Sequence, residues 1–151
     1  MRELRPTSNK VRQALFNILY DVSDNSFLDL FAGTGEIGIT ALKKEAKPVV
    51  FVEIEKKRAA DIKKKAKNFS KDFKVYSTDA LKFLKTTDQT FDIIFADPPY
   101  NYKQYDELIK HALEKLNSGG TFILEHRAGH NFNPDKERKY GDTILSIWYK
   151  E

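Results

Sequence analysis

The sequence predicts a single α/β domain, residues 1–151, built on a mostly parallel β-sheet. Short apolar segments alternate with segments whose apolar residues recur at helical spacing, as in proteins that alternate strands and helices. A glycine-rich turn at residues 33–38 follows the first predicted strand and opens a helix, which is the ligand-binding unit of doubly wound folds. The last two segments, 136–140 and 143–149, are joined at residues 141–142 and predict a closing antiparallel hairpin.

The other elements follow in order from local patterns. A first helix is predicted from about residue 8 to residue 20, with Thr7 or Ser8 as its cap. Gly119 and Gly120 are expected to end the last helix, and residues 127–135 to form a polar loop. The other predicted helices run from the glycine turn to residue 46 and over 55–69, 81–84 and 105–116, and the other predicted strands over 27–31, 49–53, 73–76, 91–97 and 121–125.

Composition limits the class of protein. The chain contains no cysteine, which excludes a disulfide framework and thiolate metal sites. No apolar run of about 18 residues is present, so we expect no membrane partner and a cytoplasmic location. His126 and His130 lie four residues apart without a clear third ligand, and we expect no metal. The net charge of +4 favours a polyanionic partner such as RNA or DNA, and we expect a monomer.

The segment that ends the fourth predicted strand carries the first chemical signal. Pro98 and Pro99 cannot donate to a sheet ladder, so the chain leaves the sheet at Asp97 in a stiff, extended turn. The turn sets the Asp97 carboxylate and backbone carbonyls beside Tyr100, whose ring could stack on a base. Such an arrangement suits a planar amine. A proline turn capped by an aspartate, with no chemistry, is the alternative.

Several residues lie at or near the carboxyl ends of the predicted strands, where a parallel sheet binds its ligands. They are Asp29, Gly33, Glu53, Asp79 and Asp97. Residues 33–38 also fit the G-x-G-x-x-G pattern, and Glu53 follows Gly33 by 20 residues, as in nicotinamide dinucleotide sites.

An acid at the start of the second helix disfavours a dinucleotide. Glu36 would repel a pyrophosphate there, whereas S-adenosylmethionine carries a sulfonium and an ammonium but no phosphate. Glu53 would accept both ribose hydroxyls of that cofactor, and Asp79 with Ala80 lies where the adenine amine should reach. A solvated charge at the end of the strand is the alternative for Glu53.

The motifs together resemble one family over nearly the whole chain. They are Arg5-Pro6-Thr7, the helix segment 11–17, the segment 28–35, Glu53, Asp97-Pro98-Pro99-Tyr100 and the segment 140–143. This set is similar to the bacterial 16S ribosomal RNA guanine-N2 methyltransferases of the small ribosomal subunit. The resemblance implies a Rossmann-like, S-adenosylmethionine-dependent methyltransferase fold with seven strands, the last antiparallel. It also implies methyl transfer to a guanine amine, with 16S rRNA or the small ribosomal subunit as partner.

The resemblance also assigns site residues. The first helix would cover the methionine end of the cofactor through Thr7 and Asn9, although capping is an equal role for Thr7. Family members carry an N-terminal extension before the Arg-Pro-Thr segment, whereas this chain starts at Met1, as a short form or a truncated start. The predicted catalytic residues are Asp97, Pro98, Pro99 and Tyr100, and the predicted cofactor-binding residues are Thr7, Asn9, Asp29, Phe31, Ala32, Gly33, Thr34, Gly35, Glu53, Ile54, Asp79 and Ala80.

Contacts to RNA are expected from basic residues that precede the glycine loop, namely Arg2, Arg5, Lys10 and Arg12. Lysine runs at 43–44, 56–58 and 63–65 could also contact phosphates, or could form solvated helix faces. Three alternative functions stay open: an amino-methyltransferase acting on DNA adenine or protein glutamine, an NAD-dependent oxidoreductase, and an RNA-binding module without chemistry.

Overall fold

The computed structural model describes residues 8–151, which form one seven-stranded sheet flanked by five helices. The helices are α1 (Asn9–Leu19), α2 (Glu36–Lys43), α3 (Lys56–Ala66), α4 (Ala80–Thr86) and α5 (Tyr105–Glu114). The strands are β1 (Phe27–Leu30), β2 (Val49–Val52), β3 (Phe73–Tyr76), β4 (Phe91–Ala96), β5 (Leu116–Arg127), β6 (Lys136–Tyr140) and β7 (Thr143–Tyr149).

The strand order is β3-β2-β1-β4-β5-β7-β6. The first five strands in this order are parallel, and β7 is antiparallel to both of its neighbours, β5 and β6. The order reverses between β1 and β4, so their carboxyl ends form the switch point at which doubly wound sheets bind ligands. The predicted α/β class, the seven-stranded mostly parallel sheet and the antiparallel last strand are confirmed.

Apolar side chains cover both faces of the sheet. One core cluster joins α1, α2 and α3 to the sheet and includes Leu15, Phe51 and Ile62. The other joins α4 and α5 to the opposite face and includes Leu84 and Leu108. Because strand side chains alternate between faces, the central strands are buried on both sides and are apolar along most of their length.

The expectation for Gly119 and Gly120 was wrong. Helix α5 ends at Glu114, and both glycines lie within β5, where the Gly119 amide donates to the Lys150 carbonyl at 2.7 Å. A Cβ at Gly120 would come within 2.8 Å of the Asn117 carbonyl oxygen, so this close approach requires glycine. Other boundaries differ by a few residues, which is usual for helix ends.

Within residues 8–151, no helix is both long enough and apolar enough to span a membrane.

Candidate functional site: two cavities at the carboxyl ends of the strands

Glu53, the residue that follows β2, forms hydrogen bonds to the loop after β1 and to the loop after β2. Its side chain is 2% exposed. Its Oε1 accepts a hydrogen bond from the Gly33 amide at 2.7 Å, and its Oε2 accepts one from the Glu55 amide at 2.8 Å. Each oxygen retains acceptor capacity, because a carboxylate oxygen can accept two hydrogen bonds. The carboxylate is therefore fixed in place and still able to accept from a ligand hydroxyl.

Asp29 of β1 forms a hydrogen bond to the start of α2, directly after the glycine-rich loop. Its Oδ2 accepts a hydrogen bond at 3.0 Å from the amide of Gly38, in the first turn of α2, and the side chain is 1% exposed. Gly35, the residue before α2, offers no side chain to cap the helix and has a φ of +80°. The carboxylate from β1 therefore supplies the acceptor and negative charge that a helix N-terminus favours.

The larger cavity near these carboxylates has a volume of about 360 Å³. It combines the predicted residues Phe31, Glu53, Ile54, Asp79, Ala80 and Pro99 with residues that the sequence analysis missed: Val52, Glu55, Arg58, Thr78 and Tyr102. Asp79 also caps α4, because its Oδ2 accepts from the Lys82 amide at 2.9 Å. A partly apolar cavity with a few polar groups has the general character of a small-molecule site.

Tyr102 is a polar residue of this cavity that the sequence analysis missed. Its ring packs edge-on against Phe31, with centroids 5.3 Å apart. Its hydroxyl is buried and has no hydrogen-bond partner among the described residues. Burial, with the nearby charge of Asp79, raises the pKa of Tyr102 to about 12. The hydroxyl therefore stays protonated near neutral pH.

A smaller cavity of about 70 Å³ lies on the other side of the Asp-Pro-Pro-Tyr motif. Asp97 is 8% exposed there, and burial, with the charge of Asp97 as a smaller cause, raises the pKa of Tyr105. Tyr100 is 66% exposed, and the Arg127 guanidinium lies 5.2 Å from its ring centroid. The cavity is lined by Asp97, Pro98, Tyr100, Tyr105, Glu125, His126, Arg127, Asp142 and Thr143.

His126 forms part of this second cavity and is held by two hydrogen bonds. Its Nδ1 lies 2.8 Å from the Arg127 carbonyl oxygen, and its Nε2 lies 2.7 Å from the Ser146 hydroxyl. A carbonyl can only accept, so Nδ1 carries the proton, and in the neutral ring Nε2 accepts from Ser146. Burial lowers the pKa of His126 despite the opposing carbonyl contact. The histidine therefore orders the strand end that carries Glu125 and Arg127.

The Asp-Pro-Pro-Tyr motif is the boundary between the two cavities. Pro99 lines the larger cavity, whereas Asp97, Pro98 and Tyr100 line the smaller one. A group bound in the first cavity and a planar group bound in the second would therefore meet at the residues that follow β4.

Other predicted site residues lie near these cavities without lining them. Ala32, Gly33, Thr34 and Gly35 form the loop before α2, and the Thr34 carbonyl accepts from Lys65 Nζ at 2.6 Å. Arg12 donates to Asn9 Oδ1 at 2.6 Å and pairs with Glu36 at 3.0 Å, so α1 is attached to α2. Lys10 is exposed. Arg2, Arg5 and Thr7 lie outside the described residues.

The lysine run at 63–65 is divided between two environments. Lys65 contacts the glycine loop, whereas Lys63 lies beside a separate open groove of about 720 Å³ along the edge strand β3. The groove is also lined by Lys67, Lys71 and Lys74. In the part of the chain that the structure describes, no three histidine or acidic side chains are grouped so as to hold a metal ion.

Comparison with known proteins gives the family. Residues 1–149 match the family described as conserved hypothetical protein 95. Ribosomal RNA small subunit methyltransferase D of Haemophilus influenzae is 36% identical over 112 residues, or 70% of this chain and 58% of that protein. The Escherichia coli protein of the same name is 34% identical over 108 residues, or 70% of this chain and 54% of that protein. The chain thus spans about half the length of the curated relatives it matches.

Solved structures share the fold. The Escherichia coli protein yhhF superposes with a TM-score of 0.87 at 26% identity, covering 98% of this chain and 88% of that chain. An RNA methyltransferase from Salinibacter ruber in complex with S-adenosyl-L-homocysteine superposes with a TM-score of 0.76 at 20% identity, covering 96% and 93%. The chain therefore has a Rossmann-like methyltransferase fold and belongs to the family described as conserved hypothetical protein 95, with ribosomal RNA small subunit methyltransferase D among its relatives.

Proposed function

We propose that this protein transfers a methyl group from S-adenosylmethionine to the exocyclic N2 amine of a guanine in 16S ribosomal RNA. The observation that carries the proposal is the position of the Asp-Pro-Pro-Tyr motif between a nucleoside-sized cavity and a second cavity lined by the buried Asp97. Names of relatives support a ribosomal RNA substrate, and the sequence motifs support the guanine amine.

The residues of the larger cavity fit the cofactor. Glu53 is oriented by two backbone amides and keeps acceptor capacity for the ribose hydroxyls. Phe31, Ile54 and Pro99 offer apolar surface for the adenine, beside the buried hydroxyl of Tyr102. The bound cofactor supplies an electrophilic methyl group on a sulfonium.

A nicotinamide dinucleotide fits this site less well. Its pyrophosphate would need free amides at the start of α2. The Gly38 amide already donates to Asp29 at 3.0 Å, and Glu36 adds a second carboxylate to the same turn. One amide of the first turn is therefore already satisfied by a carboxylate, and a second carboxylate lies in the same turn, which disfavours the oxidoreductase alternative.

Asp97 carries the proposed chemistry of the acceptor. A guanine amine is a weak nucleophile because its lone pair is delocalised into the ring. Asp97 accepts one amine hydrogen and a carbonyl near Pro98 accepts the other, which favours a pyramidal nitrogen whose lone pair faces the methyl group. When bound, the cofactor would supply the methyl group and keep the electron pair of its carbon–sulfur bond on sulfur, and the Asp97 carboxylate would take up the proton that the methylated amine releases.

Tyr100 orients the base. Its ring is largely exposed beside the smaller cavity, so a base can stack on it, and such stacking contributes about 1–3 kcal/mol per base. The N2 amine of a paired guanine is engaged within the duplex, so the target guanine is unpaired or flipped out when it binds. The proposed enzyme acts as a monomer in the cytoplasm on 16S rRNA or on the small ribosomal subunit.

The test is transfer of a labelled methyl group to naked 16S rRNA and to assembled small subunits, followed by mapping of the modified nucleotide. We expect Asp97→Asn and Asp97→Ala to lower kcat by at least about 100-fold, the scale of a lost transition-state acceptor. Binding of S-adenosylhomocysteine should stay within about twofold. Asp88→Asn, in an exposed loop, is the matched control.

Three results would contradict the proposal. If wild-type protein transfers no methyl group to either RNA substrate, the proposed activity is rejected and the RNA-binding module without chemistry is favoured. A label that maps to adenine, or transfer only to DNA or protein, would select another amino-methyltransferase. Full activity of both Asp97 variants would remove Asp97 from the mechanism.

A further inference from the structure

We propose that Glu125 distinguishes guanine from other bases in the smaller cavity, by accepting a hydrogen bond from the N1–H of the base. The inference rests on the proposed function, because it concerns how the same site selects its substrate. Neither the sequence motifs nor the names of the relatives assign a role to this residue.

The sheet places Glu125 beside Asp97. Ala96 of β4 pairs with Leu124 of β5 in parallel register, so the next residues of the two strands are neighbours at the same edge. Adjacent strands lie about 4.8 Å apart. Asp97 and Glu125 are 8% and 9% exposed, and both line the smaller cavity. Two carboxylates therefore lie side by side where the acceptor base would bind.

The edge of guanine matches the order of the strands. Along that edge the groups are the N2 amine, N1–H and O6, which are two donors followed by an acceptor. Asp97, directly after β4, and Glu125 on β5 are acceptors for the first two groups. The strand after β5 in the sheet is β7, whose Thr143 pairs with Arg127 of β5. Thr143 and Arg127 both line the cavity, and each carries a hydrogen-bond donor that suits O6.

The same carboxylate would reject the wrong base. Adenine has a lone pair rather than a hydrogen at N1, so a buried carboxylate facing it gains no hydrogen bond and meets a repulsive acceptor. A site built to bond a donor can reject an analogue that lacks it by about 10⁴-fold or more. Glu125 therefore supplies a selectivity that Asp97, which needs only an amine, does not supply.

The test uses RNA in which the mapped target guanine is replaced by 2-aminopurine, a base that keeps the 2-amine but lacks N1–H and O6. We expect wild-type protein to methylate guanine with a kcat/KM at least about 100-fold higher than 2-aminopurine. In Glu125→Gln the amide can donate to the bare N1 of 2-aminopurine, so that ratio should fall at least about tenfold. The matched control is Glu45→Gln, on an exposed residue after α2, which should keep the wild-type ratio.

Each outcome decides the proposal. A Glu125→Gln variant that lowers kcat/KM equally for both bases would assign Glu125 a purely structural role and overturn the inference. If the variant does not fold, wild-type protein alone decides, because equal methylation of both bases would overturn it. If the proposed function itself is wrong, the result differs from both of these, because wild-type protein then does not methylate guanine. Binding of S-adenosylhomocysteine by Glu125→Gln should equal that of wild type.

Discussion

The Glu53 carboxylate and the Gly33 amide are joined by a 2.7 Å hydrogen bond that attaches the glycine loop to the end of β2. The other oxygen of Glu53 holds the Glu55 amide at 2.8 Å. One side chain thus fixes two loops beside the larger cavity before any ligand binds. The entropy cost of ordering these loops on binding is therefore small.

Glu53→Gln should therefore weaken cofactor binding and the fold together. The amide places a donor against a backbone N–H, which leaves a buried group unsatisfied and costs about 1–3 kcal/mol of unfolding free energy. We expect the Kd for S-adenosylhomocysteine, measured by calorimetry, to rise at least about tenfold. The control is Glu45→Gln, which should bind like wild type. Unchanged affinity in Glu53→Gln would show that the carboxylate does not contact the ligand.

Local sequence patterns predicted the sheet and the acids Glu53 and Asp79 of the larger cavity. The apolar runs are continuous because the central strands are buried on both faces, and Glu53 was identifiable as an acid at a strand end. The helix end predicted at Gly119 and Gly120 was wrong because glycine has two common roles, ending helices and permitting close backbone approach. Only the pairing of strands in the sheet decides between these roles.

The smaller cavity was harder to predict. The Asp-Pro-Pro-Tyr motif after β4 was predicted, but the other lining residues come from the start of α5, from β5 and from the turn into β7. Only long-range packing and strand pairing bring those segments to the motif. One signal was present, because Glu125 is an acid near the end of an apolar strand, as Glu53 is. Tyr102 and Arg58 carried no comparable signal. Arg58 lies on α3 and Tyr102 in the segment before α5, and only tertiary packing brings them to the larger cavity.

Gly38→Ala should destabilise the fold through a single contact. A Cβ at Gly38 would lie 2.3 Å from Cε2 of Phe51, which is itself fully buried. Overpacking of this kind costs about 1–3 kcal/mol, against a gain of about 1 kcal/mol from helix propensity. We expect a net loss in unfolding free energy, measured by chemical denaturation.

The matched experiment is the double variant Gly38→Ala with Phe51→Leu. The smaller side chain makes room for the methyl group, so the double variant should be more stable than the sum of the single effects predicts. Additive effects would mean that the two residues do not compete for space.

Tyr102→Phe should separate stability from cofactor binding. The Tyr102 hydroxyl is buried without a partner in the described chain, so its removal should raise the unfolding free energy of the ligand-free protein by about 1 kcal/mol. If the hydroxyl donates to the bound nucleoside, the variant should also gain less stability from S-adenosylhomocysteine. Thermal unfolding with and without that ligand measures both effects. An equal ligand-induced shift in both proteins would show that the hydroxyl makes no contact.

His126 should make stability depend on pH on the acidic side. Burial lowers its pKa in the folded protein below the ordinary value near 6.5, with His130 adding to the shift and the Arg127 carbonyl and Glu137 opposing it. The unfolded chain therefore binds a proton at a higher pH than the folded chain. The contribution of neutral His126 is complete above pH 6.5 and is lost as the pH falls from that value through the lower pKa of the folded state.

Chemical denaturation between pH 5 and pH 8 tests this dependence against His126→Gln, which does not titrate. The difference in unfolding free energy between wild type and variant should be constant above pH 7 and shrink below pH 6.5. One proton contributes at most about 1.4 kcal/mol per pH unit, which limits the slope. Protonation would also reverse the hydrogen bond to Ser146, with Nε2–H donating to the hydroxyl oxygen, so the Ser146 hydroxyl proton would lose its acceptor. Parallel curves for the two proteins would show that His126 titrates alike in the folded and unfolded chains.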